Sequence, residues 1–325
     1  DQAGGLTALD GIEISGLAIH LWDDLLQAHG DDTAPDFDAI EGGETACLIY
    51  TSGTGGVPKG VMLSHAAILC NCRGATEILR PLGLGDEIFL SFLPLSHSYE
   101  HTGGLFFPIM IGAQIYYAEG IDKLAQNMVE VKPTIMAAVP RLYESMHDRI
   151  RRGIRQAGGK SEKLFEKTVA LGRKRYEAPE SLTIADRLVD TVLDLLVRRK
   201  VQARFGGRLK ALVSGGAPLN YEIGSFFTAL GVRLLQGYGQ TESAPVVSCN
   251  PPWRNKIDTV GIPLEGVEVR IADDGEILVR GDLVMQGYWG RPDETAETIV
   301  DGWLHTGDIG EFDADGHLKI TDRKK

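Results

Sequence analysis

The densest group of chemistry-bearing residues is Tyr50-Thr51-Ser52-Gly53-Thr54-Gly55-Gly56-Val57-Pro58-Lys59-Gly60. Glycines allow successive backbone N–H groups to curve around a concavity, and such a nest holds an anion. Thr51, Ser52 and Thr54 add rotatable hydroxyl donors, Pro58 stiffens the exit, and Lys59 supplies a mobile positive charge. A polyphosphate is the ligand this composition suits. The order differs from the common nucleotide loop, in which Lys follows the last Gly and precedes Ser or Thr; here Lys59 precedes Gly60 and Val61. A flexible linker is the bland alternative. It fits poorly, because the loop joins two apolar runs, Ala46–Tyr50, which reads as a buried strand, and Val61–Leu63.

A second group, Gln236-Gly237-Tyr238-Gly239-Gln240-Thr241-Glu242-Ser243, follows a short apolar strand. Gly237 and Gly239 let the backbone approach a flat ligand, Tyr238 offers a stacking face, and Thr241 a hydroxyl. Glu242 is a hard oxygen ligand of the kind magnesium takes in ones or twos alongside phosphate oxygens. Taken alone, this group is also compatible with a glycine turn that merely ends a strand. Near the end of the chain, Asp308 in Trp303-Leu304-His305-Thr306-Gly307-Asp308 can accept two hydrogen bonds at once, although taken alone an aspartate there reads more readily as a turn residue.

In order from Tyr50 to Lys325, these segments resemble those of the adenylate-forming enzymes: acyl-CoA synthetases, luciferases and peptide-synthetase adenylation domains. Gly55 replaces the second Thr usual in that loop. The resemblance implies phosphate binding by Thr51, Ser52, Gly53, Thr54, Gly55, Gly56 and Lys59. It implies adenine stacking on Tyr238 between Gly237 and Gly239, phosphate contact at Thr241, magnesium at Glu242, and ribose contacts at Asp308 and Arg323. Ser214-Gly215-Gly216-Ala217-Pro218 resembles the segment lining the adenine and the start of the acyl pocket. Leu93–His97 resembles the segment whose His lies at the pocket mouth. Val139-Pro140-Arg141-Leu142-Tyr143 resembles a long-chain segment with an aromatic gate, here Tyr143, which is nearly as well read as a core tyrosine. With Glu100 and a basic helical insertion, these features point to the long-chain fatty acid–CoA ligase branch, with ATP, Mg2+ and CoA as cofactors and co-substrates. Lys59, Thr241 and Glu242 are the implied catalytic residues. A medium-chain or aryl-acid ligase, or a non-catalytic nucleotide- or acyl-binding lobe, are the rival expectations. The family also carries more sequence before the phosphate loop, and a C-terminal domain with a catalytic lysine that has no counterpart here; Ile320–Lys325 resembles the hinge leading to it.

His97-Ser98-Tyr99-Glu100-His101 fits the zinc-peptidase pattern H-x-x-E-H. Such a site needs both histidines on one helical face, and Pro94 before and Gly103-Gly104 after leave little helix to provide it. No zinc is expected.

The elements that must position these residues follow from the hydrophobic pattern. Leu17–Ala28 reads as a short helix and Asp31–Gly43 as a connector. From Thr45 strands and helices alternate, which predicts an α/β fold with a largely parallel sheet layered by helices. Residues 144–205 lack strand signal, and Leu188, Val192, Leu195 and Leu196 share one helical face, so this stretch reads as a helical insertion. After Pro252 the pattern alternates and turns at Asp273-Asp274-Gly275 and Gly316, a small antiparallel β subdomain. The expected division is 1–44, a remnant and connector; 45–255, a nucleotide- and acyl-binding core; 256–320, the β subdomain; and 321–325, the start of the hinge.

The formal net charge of −12 argues against nucleic acid as a partner. Charge is uneven: Arg149–Arg204 holds 15 Lys/Arg against 7 Asp/Glu, a local excess of +8 that leaves −20 for the rest. That basic block is expected either as a solvated helix face or as a peripheral membrane contact. Four cysteines without metal-ligand spacing, and no run long enough to span a bilayer, point to the cytoplasm, with the inner face of the membrane as the peripheral alternative.

Overall fold

The computed structural model describes residues 39–51 and 57–324, so the expected helix over Leu17–Ala28 lies outside the described residues. The chain divides into two compact units, 1–41 and 42–325, and the second carries the elements that follow. Its first strands are β1 (Thr45–Thr51) and β2 (Lys59–Ser64), then β3 (Ile88–Ser91), β4 (Gln114–Tyr117), β5 (Ile135–Ala138), β6 (Ala211–Ser214) and β7 (Leu234–Gly239). They are followed by β8 (Val246–Cys249), β9 (Ile262–Pro263), β10 (Glu268–Ile271), β11 (Glu276–Arg280), β12 (Gly287–Tyr288), β13 (Ile299–Val300), β14 (Trp303–Phe312) and β15 (Leu318–Arg323).

A seven-stranded sheet in the order β4-β3-β5-β6-β7-β8-β9 forms the centre. Pairing is parallel from β4 through β7 and antiparallel at β8 and β9. The expected α/β class and largely parallel sheet are therefore observed. The central strands are almost wholly apolar because both faces are covered. Their period of two sends neighbours to opposite sides. Leu90, Met136, Leu212 and Leu234 pack with Tyr143, Phe165, Phe205, Phe226 and Phe227 of the covering helices. Phe89, Ile135, Ala211 and Leu235 pack on the other side with Ile68, Cys72, Ile78, Leu79 and Phe107. Each large side chain so buried contributes about 1.5–3 kcal/mol.

Helix starts follow their caps. Ser64 accepts from Ala67 N at 3.1 Å and opens His65–Leu79. Asn220 caps Tyr221–Ala229, and Pro140 stands at the start of Pro140–Ala157, where its missing N–H costs nothing. The helical insertion consists of Pro140–Ala157, Gly159–Glu177, Ile184–Leu193, a wide turn at Asp194–Arg198, and Arg199–Arg204. The two expected hairpins are present, β10–β11 around Asp273-Asp274-Gly275 and β14–β15 around Gly316.

Three local expectations are corrected. Ala46–Tyr50 is not a buried strand: β1 is the edge of a separate antiparallel sheet, β1-β2-β12, and Tyr50 is 63% exposed while Ile49 is buried. Only one face of such a sheet meets the core. Second, the glycine segment after Leu235 does not end its strand; β7 runs on through Gly237-Tyr238-Gly239, paired with β8. Third, Gly103-Gly104 does not cut the helix short. Ser98–Glu100, a wide turn at His101–Phe106, and Phe107–Met110 follow one another without a break. A β-carbon at Gly104 would lie 2.3 Å from Glu100 Oε1, so the glycine leaves room for the buried carboxyl where the helix widens.

Candidate active site

β7 and the loop after it supply the centre of the site. Gly239 has φ +156°, and a β-carbon there would stand 1.8 Å from Pro245 O, so only glycine fits between the two strands. That close approach sets Tyr238 beside β14. Its hydroxyl donates to Asp308 Oδ2 at 2.7 Å, and Arg323 Nε stands 3.4 Å from Asp308 Oδ1. Asp308 and Arg323 are register partners on β14 and β15. Burial, then the adjacent Asp308 carboxylate, push the Tyr238 hydroxyl well above its ordinary range, so it remains a donor at any physiological pH. Three candidate nucleotide residues separated by as many as 85 positions thus share one cluster, joined by a hydrogen bond and an ion pair.

The bend carrying Asp308 is built from below. Glu276, at the start of β11, accepts from Gly307 N through Oε1 and meets His305 Nδ1 and Lys324 Nζ through Oε2, each at 2.9 Å. Burial would raise its carboxyl, yet Lys324, His305 and the Gly307 N–H hold it below the usual range, so it is ionised.

Two residues past the end of β7, Thr241 Oγ1 lies 3.0 Å from Ser98 Oγ. Beside it, Glu242 Oε1 accepts from the Tyr288 hydroxyl at 2.8 Å. Lys59 Nζ stands 4.8 Å from the centroid of the same Tyr288 ring and pairs with Glu294 at 2.6 Å. Tyr288 therefore links the candidate cation, Lys59, to the candidate magnesium ligand, Glu242. Thr51 and Lys59 face each other across β1 and β2 and mark the two sides of the glycine loop. Ser52, Gly53, Thr54, Gly55 and Gly56 lie outside the described residues.

The third group surrounds the end of β6. Gly215 is buried, and Tyr99's ring fills the space a side chain there would need, while Gly216 and Ala217 are exposed. Tyr99 and Tyr143 both donate to Val213 O, at 2.9 and 3.2 Å. Tyr143 is fully buried, with its ring edge-on to Phe227. His97 is exposed at the start of the helical stretch, its Nδ1 accepting from Tyr99 N at 3.2 Å. Glu100 is directed away from it, accepting from Ser91 Oγ, and burial pushes its carboxyl up to about 7. His101 packs edge-on against Phe106.

Ser98, Glu276, Tyr288 and Glu294 were not singled out from sequence. The available signals were weak: an acid opening an otherwise apolar strand for Glu276, and an aromatic directly after a glycine for Tyr288.

The sequence profile described as AMP-binding enzyme matches residues 11–289. The chain belongs to the AMP-binding enzyme family. Among curated relatives, it is 36% identical over 292 residues to the long-chain-fatty-acid–CoA ligase FadD15 of Mycobacterium tuberculosis, covering 88% of this chain and 48% of that one. It is 34% identical over 299 residues to the peroxisomal long chain acyl-CoA synthetase 6 of Arabidopsis thaliana, covering 87% and 41%. The chain thus spans about half the length of these relatives or less. Among solved structures, apo MatB from Rhodopseudomonas palustris superposes with a TM-score of 0.69 at 22% identity, covering 93% of this chain and 53% of that one. At that identity the likeness speaks to the fold of AMP-binding enzymes and to nothing finer.

Proposed function

We propose that this chain is the nucleotide- and acyl-binding part of a ligase that activates a long-chain fatty acid with ATP and passes it to CoA. A fatty carboxylate oxygen attacks the α-phosphorus, the α–β anhydride bond breaks and pyrophosphate leaves; the CoA sulfur then attacks the acyl carbon and AMP leaves. The observation that carries this reading is the Tyr238–Asp308–Arg323 cluster, with Thr241 and Glu242 only a few residues beyond Tyr238.

In this reading the Tyr238 ring stacks on adenine and Asp308, oriented by Tyr238 and facing Arg323, accepts from the ribose hydroxyls. Thr51, the Ser52–Gly56 backbone, Lys59 and Thr241 hold phosphate oxygens in line. Lys59 must first leave Glu294, and a partly exposed pair of this kind holds it only weakly. Glu242 suits magnesium: it is half-buried, Tyr288 fixes one of its oxygens, and a single carboxylate plus phosphate oxygens is a usual magnesium set. When bound, that ion neutralises charge on the phosphates. The acyl chain enters between His97 and Gly215–Gly216 and runs past Tyr143. Residues 45–255 form the core of this site, 256–320 bring Asp308 to it, and 321–325 begin a hinge. All four cysteines are free thiols, which supports a cytoplasmic location, and we place the protein at the inner face of the membrane when it is docked there.

Long-chain preference is supported by the names of the relatives. Its test is pyrophosphate release by the full-length protein with a panel of long, medium and aryl acids. Tyr143→Ala should change the rate or affinity for long acids more than for short ones; equal effects would return Tyr143 to the ordinary core. Residues 1–325 by themselves should bind MgATP weakly and form almost no acyl-CoA. The resemblance assigns a charge-stabilising lysine to a further domain, and losing one such group costs about two to three orders of magnitude in rate.

A further inference from the structure

The helical run Ile184–Arg204 buries only part of its apolar side chains, among them Leu193 and Val197. Its acids face cations of the fold: Asp186 pairs with Lys174 at 2.9 Å, and Asp190 with Arg175 at 2.8 Å and Arg198 at 2.6 Å. Asp194 stands 3.8 Å from Arg198. Arg198 is fully buried and also donates from Nε to Ala229 O at 2.7 Å. The inward face thus combines these ion pairs with the buried Leu193 and Val197, whereas five further large apolar residues point out. Ile184 is 80% exposed, Leu188 66%, Val192 52%, Leu195 50% and Leu196 45%. They recur every three to four residues, and the wide turn at Asp194–Arg198 keeps them on one side. The other exposed positions of the run include Arg187, Arg199, Lys200 and Arg204, and none of these has an ion-pair partner among the described residues. Of the acids of the run, Asp190 is buried, Asp186 is paired, and Asp194 keeps a side chain 48% exposed beside Arg198.

We propose that this outward face is a docking surface for an anionic lipid bilayer. An apolar stripe flanked by unpaired Lys and Arg on one helix is the pattern that lies in the plane of a membrane interface, stripe among the acyl chains and cations at the headgroups. Each cation near an anionic surface adds attraction. A second copy of the chain is the competing occupant, and charge argues against it. Packed antiparallel, Arg187 of one copy meets Arg199, Lys200 and Arg204 of the other; packed parallel, each cation meets its like. Either way basic residues face basic residues, and the half-exposed Asp194 between them already stands 3.8 Å from Arg198 of its own copy.

The proposal is independent of the acyl reading, because the test reads binding and not turnover. The full-length protein is floated with vesicles of phosphatidylcholine alone and of phosphatidylcholine with phosphatidylglycerol. The mixed vesicles should bind it at least about tenfold more tightly than the neutral ones. Leu188→Gln/Leu195→Gln should weaken that binding about tenfold or more, and Arg199→Gln/Lys200→Gln should weaken it and reduce its dependence on salt. These side chains are exposed, so circular dichroism and thermal unfolding should be unchanged by either pair. No binding of the unsubstituted protein to anionic vesicles would overturn the proposal, as would variants that bind like it. A dimer in solution that the leucine variant dissociates, with no vesicle binding, would assign the face to a second copy and equally overturn it.

Discussion

Asp308 and Tyr238 could be read from local pattern because their motifs carry the resemblance; Tyr288 could not, since the preceding Gly287 is too weak a mark by itself. Its role follows from two contacts, a hydroxyl on Glu242 and a ring beneath Lys59. Tyr288→Phe removes the first and keeps the second. The variant should fold normally and lose about three- to tenfold in rate, the worth of one hydrogen bond of about 0.5–1.5 kcal/mol, with a raised magnesium requirement. An unchanged magnesium dependence would make Tyr288 a packing residue only. Glu100 carries a different prediction. Burial raises its carboxyl to about 7, with Ser91 Oγ and the Phe92 N–H as its hydrogen-bonding neighbours and His101 next in the chain. A carboxyl whose folded value is raised stabilises the fold below its unfolded value, and that contribution is lost as pH rises through the folded one. Between about pH 4.5 and 7 the unsubstituted protein should therefore lose about 2–3 kcal/mol relative to Glu100→Gln, which cannot ionise. Urea unfolding of both proteins across that window measures the difference, and because it is a difference, the titration of His101 largely cancels. Parallel curves would show that Glu100 does not titrate there.

Elements are legible in the sequence where a cap or a short continuous apolar run marks them. Ser64, Asn220 and Pro140 opened their helices, and the apolar runs at Ile88–Ser91, Ile135–Ala138 and Ala211–Ser214 became parallel central strands. What could not be read was which side an apolar face meets. Ala46–Tyr50 looked buried because it is apolar, yet as an edge strand it buries only one face. Leu188, Val192, Leu195 and Leu196 have correct helical spacing, but Asp190 and the buried Arg198 turned the opposite face inward. Periodicity reports a face and not its partner. The helix through Gly103-Gly104 was hidden for a related reason: glycine marks a break in isolation, and only the packed Glu100 shows why it is needed within the turn. Gly104→Ala should cost about 1–3 kcal/mol through overpacking. The cost should shrink in a Glu100→Ala background, where the carboxyl that clashes is gone. Strictly additive losses in that double-mutant cycle would deny the contact.

At the scale of the whole molecule, the central sheet and the antiparallel strands meet at Tyr238 and Asp308. β7 crosses from the parallel to the antiparallel part of the sheet and there brings Tyr238 to Asp308 on β14, while the loop after it carries Thr241 to Ser98 and Glu242 to Tyr288. The proposed site requires the fold to bring residues far apart in the chain together, and Tyr238, Asp308 and Arg323 do meet. The account rests on that convergence being a nucleotide site. The most direct measurement is fatty-acid-dependent pyrophosphate release from ATP by the full-length protein, compared with Asp308→Ala at the same ATP concentrations. Loss of the charged acceptor of the ribose hydroxyls should raise the KM for ATP about tenfold or more, with long acids remaining the preferred substrates. Release that is undiminished by Asp308→Ala at low ATP would contradict the account, as would a protein that binds nucleotide and never releases pyrophosphate.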